Sequence, residues 1–296
     1  MDLLFKGLGT IGLAGALLAH ARAWRGIRCT TLRGVWCWAT AACLLWAVVW
    51  CVDVLAGTVS QELADQLWYF TALLLACSLV AVLGARRPTV RIWTIFVVVP
   101  LLVVLGWPAL AVWGSDFRPG VMEIETPTLL GFTLVAVMGA GNYFGTRFTT
   151  SSIFTAAAIL LAVVPSWSEF SANPLRMREW ATVCYVGAIL LAWRNTRWDV
   201  TSIPPLDRLW FDFRDMFGMV WAKRVLDRIN DTLRNRQSPL RLELHGLRWT
   251  EPDTETKKRE EEEAFFEKTF RWLLRRFVDP EWIDERCKRP KPPDTD

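Results

Sequence analysis

The chain has 296 residues, 52% of them hydrophobic, with 18 Trp, seven Cys, two His and a formal net charge of +4. Residues 1–194 carry 13 basic and 9 acidic groups and residues 195–296 carry 21 of each, so the positive excess belongs to the apolar part. A neutral C-terminal part argues against nucleic-acid binding, which usually needs a basic face, and a long apolar chain without a CxxC pair is not a small secreted disulfide framework.

A membrane span needs about 20 apolar residues to cross roughly 30 Å of hydrocarbon. Seven runs approach that length: residues 3–19, 35–56, 66–85, 92–113, 128–146, 151–167 and 179–193. The first, sixth and seventh are short. The fifth and sixth lie so close that they read as a helical hairpin, with a re-entrant pair as the alternative. The fold class expected is an all-α integral membrane protein of about seven transmembrane helices. A small, mainly helical cytoplasmic tail follows, with one short strand or hairpin. Residues 1–198 form the bundle, 199–282 the tail and 283–296 a disordered end.

Run one is rich in small residues, and the pairs Gly12/Ala16 and Gly15/Ala19 permit close helix approach, within the chain or between two copies. Its "GLAGALLAHARA" resembles a signal-peptide core, but Asp2 and Lys6 spoil the leading region, and cleavage would leave four Arg to be exported. Trp36, Trp38, Trp68, Trp93, Trp113, Trp167, Trp180 and Trp193 lie at run ends, where an indole anchors at the headgroup level.

Loops after runs one, three, five and seven hold ten Arg (22, 25, 28, 33, 86, 87, 91, 147, 194 and 197), whereas the other loops hold three, Arg118, Arg176 and Arg178. The positive-inside rule then puts the N-terminus outside and the tail in the cytoplasm of a multi-pass cell-membrane protein.

An ionisable or amide group inside a span is a functional candidate. Asp53 sits one turn inside the outer end of run two, as an interfacial carboxylate or a site residue. Asn142 and Tyr143, in "GAGNYFGTR", are flanked by glycines that admit another helix or a ligand; an interhelical hydrogen bond is the plainer reading. Pro100 and Pro108 interrupt run four. The loop 114–127 offers Asp116, Glu123 and Glu125 in a spacing that fits no metal pattern. His20 and His245 lie on either side of the bundle sequence, and run seven contains no Lys for a retinal Schiff base. No catalytic or nucleotide motif emerges, no cofactor is assigned, and a non-enzyme is favoured.

In the tail, Pro204-Pro205 precedes an amphipathic helix over 206–233. Trp210, Phe213, Phe217 and Trp221 line its first face, and Val225, Ile229 and Leu233 lie on another, so the helix either bends near residues 222–224 or passes from one partner to a second. The first half is read as lying on the membrane surface or the inner mouth of the bundle, with packing wholly within the tail as the plainer alternative. Residues 240–249 alternate as a strand, either folding into a hairpin or adding to another subunit's sheet. A last helix over 260–278 carries Phe266 and Phe270 on its apolar stripe. Trp210, Phe213, Phe217, Trp221, Phe266 and Phe270 are the candidate interface. The expected partners are the lipid bilayer and a protein partner or second copy held by the tail, with no nucleic acid. The expected role is a non-catalytic accessory or scaffold subunit of a membrane assembly. The alternative is a seven-helix sensor or small-solute transporter with an outer acidic loop.

Overall fold

The computed structural model describes residues 2–112, 120–169, 173–197, 203–250 and 256–287. Each of the seven apolar runs forms a helix: α1 (Asp2–Ile27), α2 (Arg33–Leu55), α3 (Gln61–Leu83), α4 (Val90–Ala111), α5 (Thr126–Gly141), α6 (Thr149–Val163) and α7 (Pro174–Asn195). Among the described residues, five helices are long and apolar enough to cross a membrane: α1 to α4, and α6 with its 3-10 extension to Ser166. α5 spans 16 residues, and Arg176, Arg178, Glu179 and Arg194 dilute the apolarity of α7. α1 continues eight residues past the expected end and α7 starts five residues early, because arginine and alanine propagate a helix as well as they flank one.

The exterior of these helices is apolar. Leu4, Leu8 and Ile11 on α1, Ile92, Phe96, Val103 and Trp107 on α4, and Leu130, Leu134 and Val137 on α5 are all more than half exposed. Exposed apolar ridges of this kind are compatible with a membrane location. α3 is the central helix, with 72% of an 18-residue apolar stretch buried. Two helices widen into π turns, α2 at Trp50–Leu55 and α4 at Thr94–Val98. The second precedes Pro100, which has no amide hydrogen to give to the ladder. The small-residue face of α1 packs within the chain: a Cβ on Gly9 would overlap the Trp50 ring at 2.4 Å, and one on Gly12 would press on Val186 at 3.0 Å. Gly15 faces open space.

The tail comprises α8 (Pro205–Asn235), the antiparallel strands β1 (Leu240–Glu243) and β2 (Gly246–Trp249), α9 (Thr256–Leu274) and α10 (Pro280–Cys287). The strands form the hairpin alternative, with Leu240 opposite Trp249 and Leu242 opposite Leu247. Asn230 pairs with both backbone groups of Leu242, at 2.8 and 2.9 Å, and Asp207 accepts the Leu247 amide at 2.7 Å. The hairpin edge is therefore occupied by α8 side chains.

α8 breaks at Gly218 (φ 77°, ψ 176°), four residues before the expected bend. Only glycine adopts that backbone at little cost. The break turns both halves toward one core, so Trp210, Phe213 and Phe217 before it and Trp221, Val225, Ile229 and Leu233 after it are buried together. Phe277 meets the rings of Phe213, Phe217 and Trp221 edge-on at 5.1–5.3 Å.

The six candidate interface residues are accordingly interior: Trp210, Phe213, Phe217, Phe266 and Phe270 are 0% exposed and Trp221 5%. An aromatic stripe is buried wherever the nearest apolar surface lies, and here that surface is the tail's own core and the mouth of the bundle. Helix α10 extends through Cys287, so the expected disordered end at 283 is corrected over 283–287. Residues 288–296 lie outside the described residues.

Candidate functional site

Two buried polar clusters sit at opposite ends of the bundle. The first joins bundle to tail. The three loops α1–α2, α3–α4 and α5–α6 all meet the tail on one face. Thr31 donates its amide to Phe277 O at 2.8 Å and its hydroxyl to Ala85 O at 2.7 Å. Arg87 N donates to Arg276 O at 2.8 Å, Asp279 N to Cys29 O at 2.8 Å, and Trp221 Nε1 to Val82 O at 3.2 Å. Asp279 draws in Arg87 at 2.5 Å and Arg33 at 3.6 Å.

Asn142 is the centre of this junction. It is 4% exposed and stands at the C-cap of α5, opposite Gly218. Its carbonyl accepts the Met219 amide at 2.6 Å, Oδ1 accepts the Val220 amide at 3.0 Å, and Nδ2 donates to Phe217 O at 3.4 Å. The backbone groups freed by the break in α8 thus bond to one asparagine. The Tyr143 hydroxyl donates to Met216 O at 3.4 Å. Arg147 contacts Asp212 at 2.7 Å and Asp215 at 3.1 Å, and Arg286 of α10 reaches the other oxygen of Asp212 at 2.9 Å. Burial pushes Asp215 above the ordinary aspartate value, although Arg214 and Arg147 pull it down. The asparagine–tyrosine pair therefore holds together two parts of the same chain, which is the plainer sequence reading extended from helix–helix to bundle–tail.

The second cluster lies at the far end. Arg178, near the start of α7, is 2% exposed and lies between two carboxylates. One terminal nitrogen is 3.4 Å from Asp53 Oδ2 and the other bonds Asp65 Oδ1. Trp68 Nε1 donates to Asp53 at 2.7 Å, and Gln61 donates to Asp65 at 2.9 Å. The π turn of α2 contributes Asp53, the first turns of α3 contribute Asp65 and Trp68, and α7 is started by Asn173, whose side chain caps the Leu175 and Arg176 amides. Arg178 O accepts the Thr182 hydroxyl at 3.0 Å, and that hydroxyl accepts Trp46 Nε1 at 3.0 Å, so the network continues into the core. Arg178 Nε makes no hydrogen bond among the described residues, and the nearby chain also buries an unbonded Gln66 Oε1.

Asp53 thus holds a buried arginine instead of merely facing water. In the sequence Arg178 reads as one of the loop charges, and Asp65 carries no signal of its own. The available signal was an arginine one turn into an apolar helix at the end where two other helices each place an aspartate. Asp53 and Asn142 belong to different clusters. In the loop 114–127, Glu123 and Glu125 are exposed, alternating with buried Met122 and Ile124, while Asp116 lies outside the described residues. His20 bonds Thr40 at 2.8 Å and stacks on Trp36 at 5.3 Å, a packing role.

The bundle–tail junction can fix one part of the molecule relative to the other. The Arg178 cluster can hold three helix ends together or change arrangement when a carboxylate is protonated or an ion enters. No protein-family model, curated protein or solved structure matches this chain.

Proposed function

We propose that the chain is a seven-span membrane protein, with its N-terminus outside and its tail in the cytoplasm, acting as a non-catalytic accessory or scaffold subunit of a membrane assembly. The observation that carries this reading is the Asn142–Gly218 junction. A tail bonded through buried polar groups to three loops holds a fixed attitude to the bundle. A partner bound to either part is then positioned relative to the other. The arginine-rich loops and the tail occupying one face of the bundle support the orientation, since both would belong to the positive side. The buried aromatic stripes make the tail rigid, and docking falls to its outer surface, including the exposed faces of the hairpin and α9. Purification of the full chain in mild detergent, with native mass measurement and cross-linking, tests this. A stoichiometric partner cross-linked to the tail supports the scaffold role, and a lone chain without cross-links contradicts it.

A second reading, a sensor or small-solute transporter, rests on the Arg178 cluster. Buried charge within a bundle commonly marks an ion or substrate path. Its test is ligand- or proton-dependent stabilisation of the purified chain that Asp53→Asn abolishes.

A further inference from the structure

The α3–α4 loop, the second half of α8 and the end of α9 enclose a cleft on the tail-side face. It consists of two adjoining cavities of ≈ 530 and ≈ 310 Å³ that share Arg86, Trp272 and Arg276. Arg224 and Arg228 complete one cavity and Arg87 and Arg275 the other, and among the described residues no carboxylate lines either. Arg87 is matched by Asp279 at 2.5 Å. Among the described residues, Arg86, which is half-buried, and the exposed Arg224, Arg228, Arg275 and Arg276 enter no ion pair, whereas carboxylates meet the half-buried Arg214, Arg271 and Arg286 of the tail.

This clustering opposes the charges rather than relieving them. Arg86 is held below its ordinary value by burial and by the nearby Arg276 and Arg224. Cation–π contacts fix the guanidinium groups: Arg86 and Arg224 lie 6.0 and 4.8 Å from the Trp221 ring, and Arg276 lies 5.4 Å from Trp272. Trp221 is itself buried and bonded to Val82 O. Arg86, Arg224 and Arg276 are thus held against aromatic rings around one cleft that Arg228 and Arg275 also line, and guanidinium groups gathered in this way suit phosphate oxygens.

We infer that this cleft binds a phosphate-bearing anion, and specifically the headgroup of an anionic lipid carrying more than one phosphate. Several uncompensated guanidinium groups call for more than one negative charge. The lipid source follows from position and rests on the membrane reading above. The cleft adjoins the start of α4, where Ile92, Ile95 and Phe96 turn an apolar face outward, and Trp272 is 55% exposed at its rim. A headgroup seated among the arginines would leave its acyl chains beside α4, with the indole at the interface. Basic pockets at the cytoplasmic ends of spans suit such headgroups.

The test uses the full chain purified in neutral detergent. Native mass measurement follows retention of a diphosphate lipid, a monophosphate lipid and a zwitterionic lipid, and a separate arm titrates soluble pyrophosphate. We expect retention in the order diphosphate, monophosphate, zwitterionic. The double variant Arg86→Gln/Arg224→Gln should lower diphosphate-lipid retention at least tenfold, and Arg241→Gln, an exposed arginine on the hairpin, should leave it unchanged. Without lipid, the double variant should unfold at the same temperature as the parent or higher, since like charges have been removed. Should that variant fail to fold, Arg228→Gln, on the exposed side of α8, gives the same comparison with a smaller loss. Equal retention by parent and variant, or equal retention of all three lipids, overturns the inference. Pyrophosphate binding without lipid preference overturns the lipid source alone. Membrane insertion is read independently, from whether the chain stays with alkali-washed membranes.

Discussion

The side chain of Asn142 closes the gap that Gly218 opens. At Gly218 the left-handed backbone releases amide groups from the α8 ladder, and Asn142 accepts two of them, Met219 N at its backbone carbonyl at 2.6 Å and Val220 N at its side-chain Oδ1 at 3.0 Å. A Cβ on Gly218 would lie 2.2 Å from Asn142 Nδ2, so any side chain at 218 would push Asn142 out of place. Asn142→Ala strands the Val220 amide and should cost about 1–3 kcal/mol. Gly218→Ala adds backbone strain of about 1–3 kcal/mol to a steric clash. The two losses should be less than additive in a double variant. Thermal unfolding in detergent measures all three, and full additivity would show that the residues act separately.

Removing Arg178 leaves Asp53 and Asp65 facing each other without their shared cation. Loss of one partner from a buried ion pair costs about 3–5 kcal/mol. Arg178→Gln should therefore lower the unfolding temperature sharply, and adding Asp53→Asn and Asp65→Asn should recover much of it. Arg178→Gln with parental stability would mean that the cluster is hydrated and contributes little.

Phe213 lies 5.0 Å from Phe217 and 5.1 Å from Phe277 at the centre of the tail. Phe213→Ala should cost about 3–5 kcal/mol as a core truncation. Protease cutting within the tail, followed with time, should speed up in proportion. A variant that loses a bound partner while resisting protease as the parent does would return Phe213 to the surface.

Asp215 links pH to tail stability. Burial raises its folded-state value above the ordinary 3.8. The folded state therefore keeps the proton to higher pH than the unfolded chain, and stability falls as pH rises through the window that starts at 3.8. Asp215→Asn should flatten that slope. Unfolding temperatures measured across the acid range decide it, and an identical slope in the variant would assign the titration elsewhere.

The seven helices were legible because apolar runs of span length have few other uses, and Pro204-Pro205 announced α8. The hairpin was legible from the alternation of Leu240, Leu242 and Arg241. The position of the bend was not. Hydrophobic periodicity reports which residues are buried, and a single glycine that reverses the backbone shifts the period without changing composition. The Arg178 cluster stayed hidden for a related reason. Charges near helix ends look like loop charges until three helices are brought together, and Asp53, Asp65 and Arg178 are separated by up to 125 residues. The aromatic stripes of α8 and α9 were seen as apolar faces, but sequence cannot say whether such a face meets the same chain or another.

In the proposed arrangement the tail and the arginine-rich loops share one side of a membrane and the Arg178 end faces the other. Single cysteines at Thr58, Thr89 and Lys268, in a chain with its native cysteines replaced, test this by labelling with a membrane-impermeant maleimide. Thr58, exposed in the α2–α3 loop, should react on intact cells, whereas Thr89 and Lys268 should react only after permeabilisation. Labelling of Thr58 and Lys268 under the same condition would contradict the arrangement.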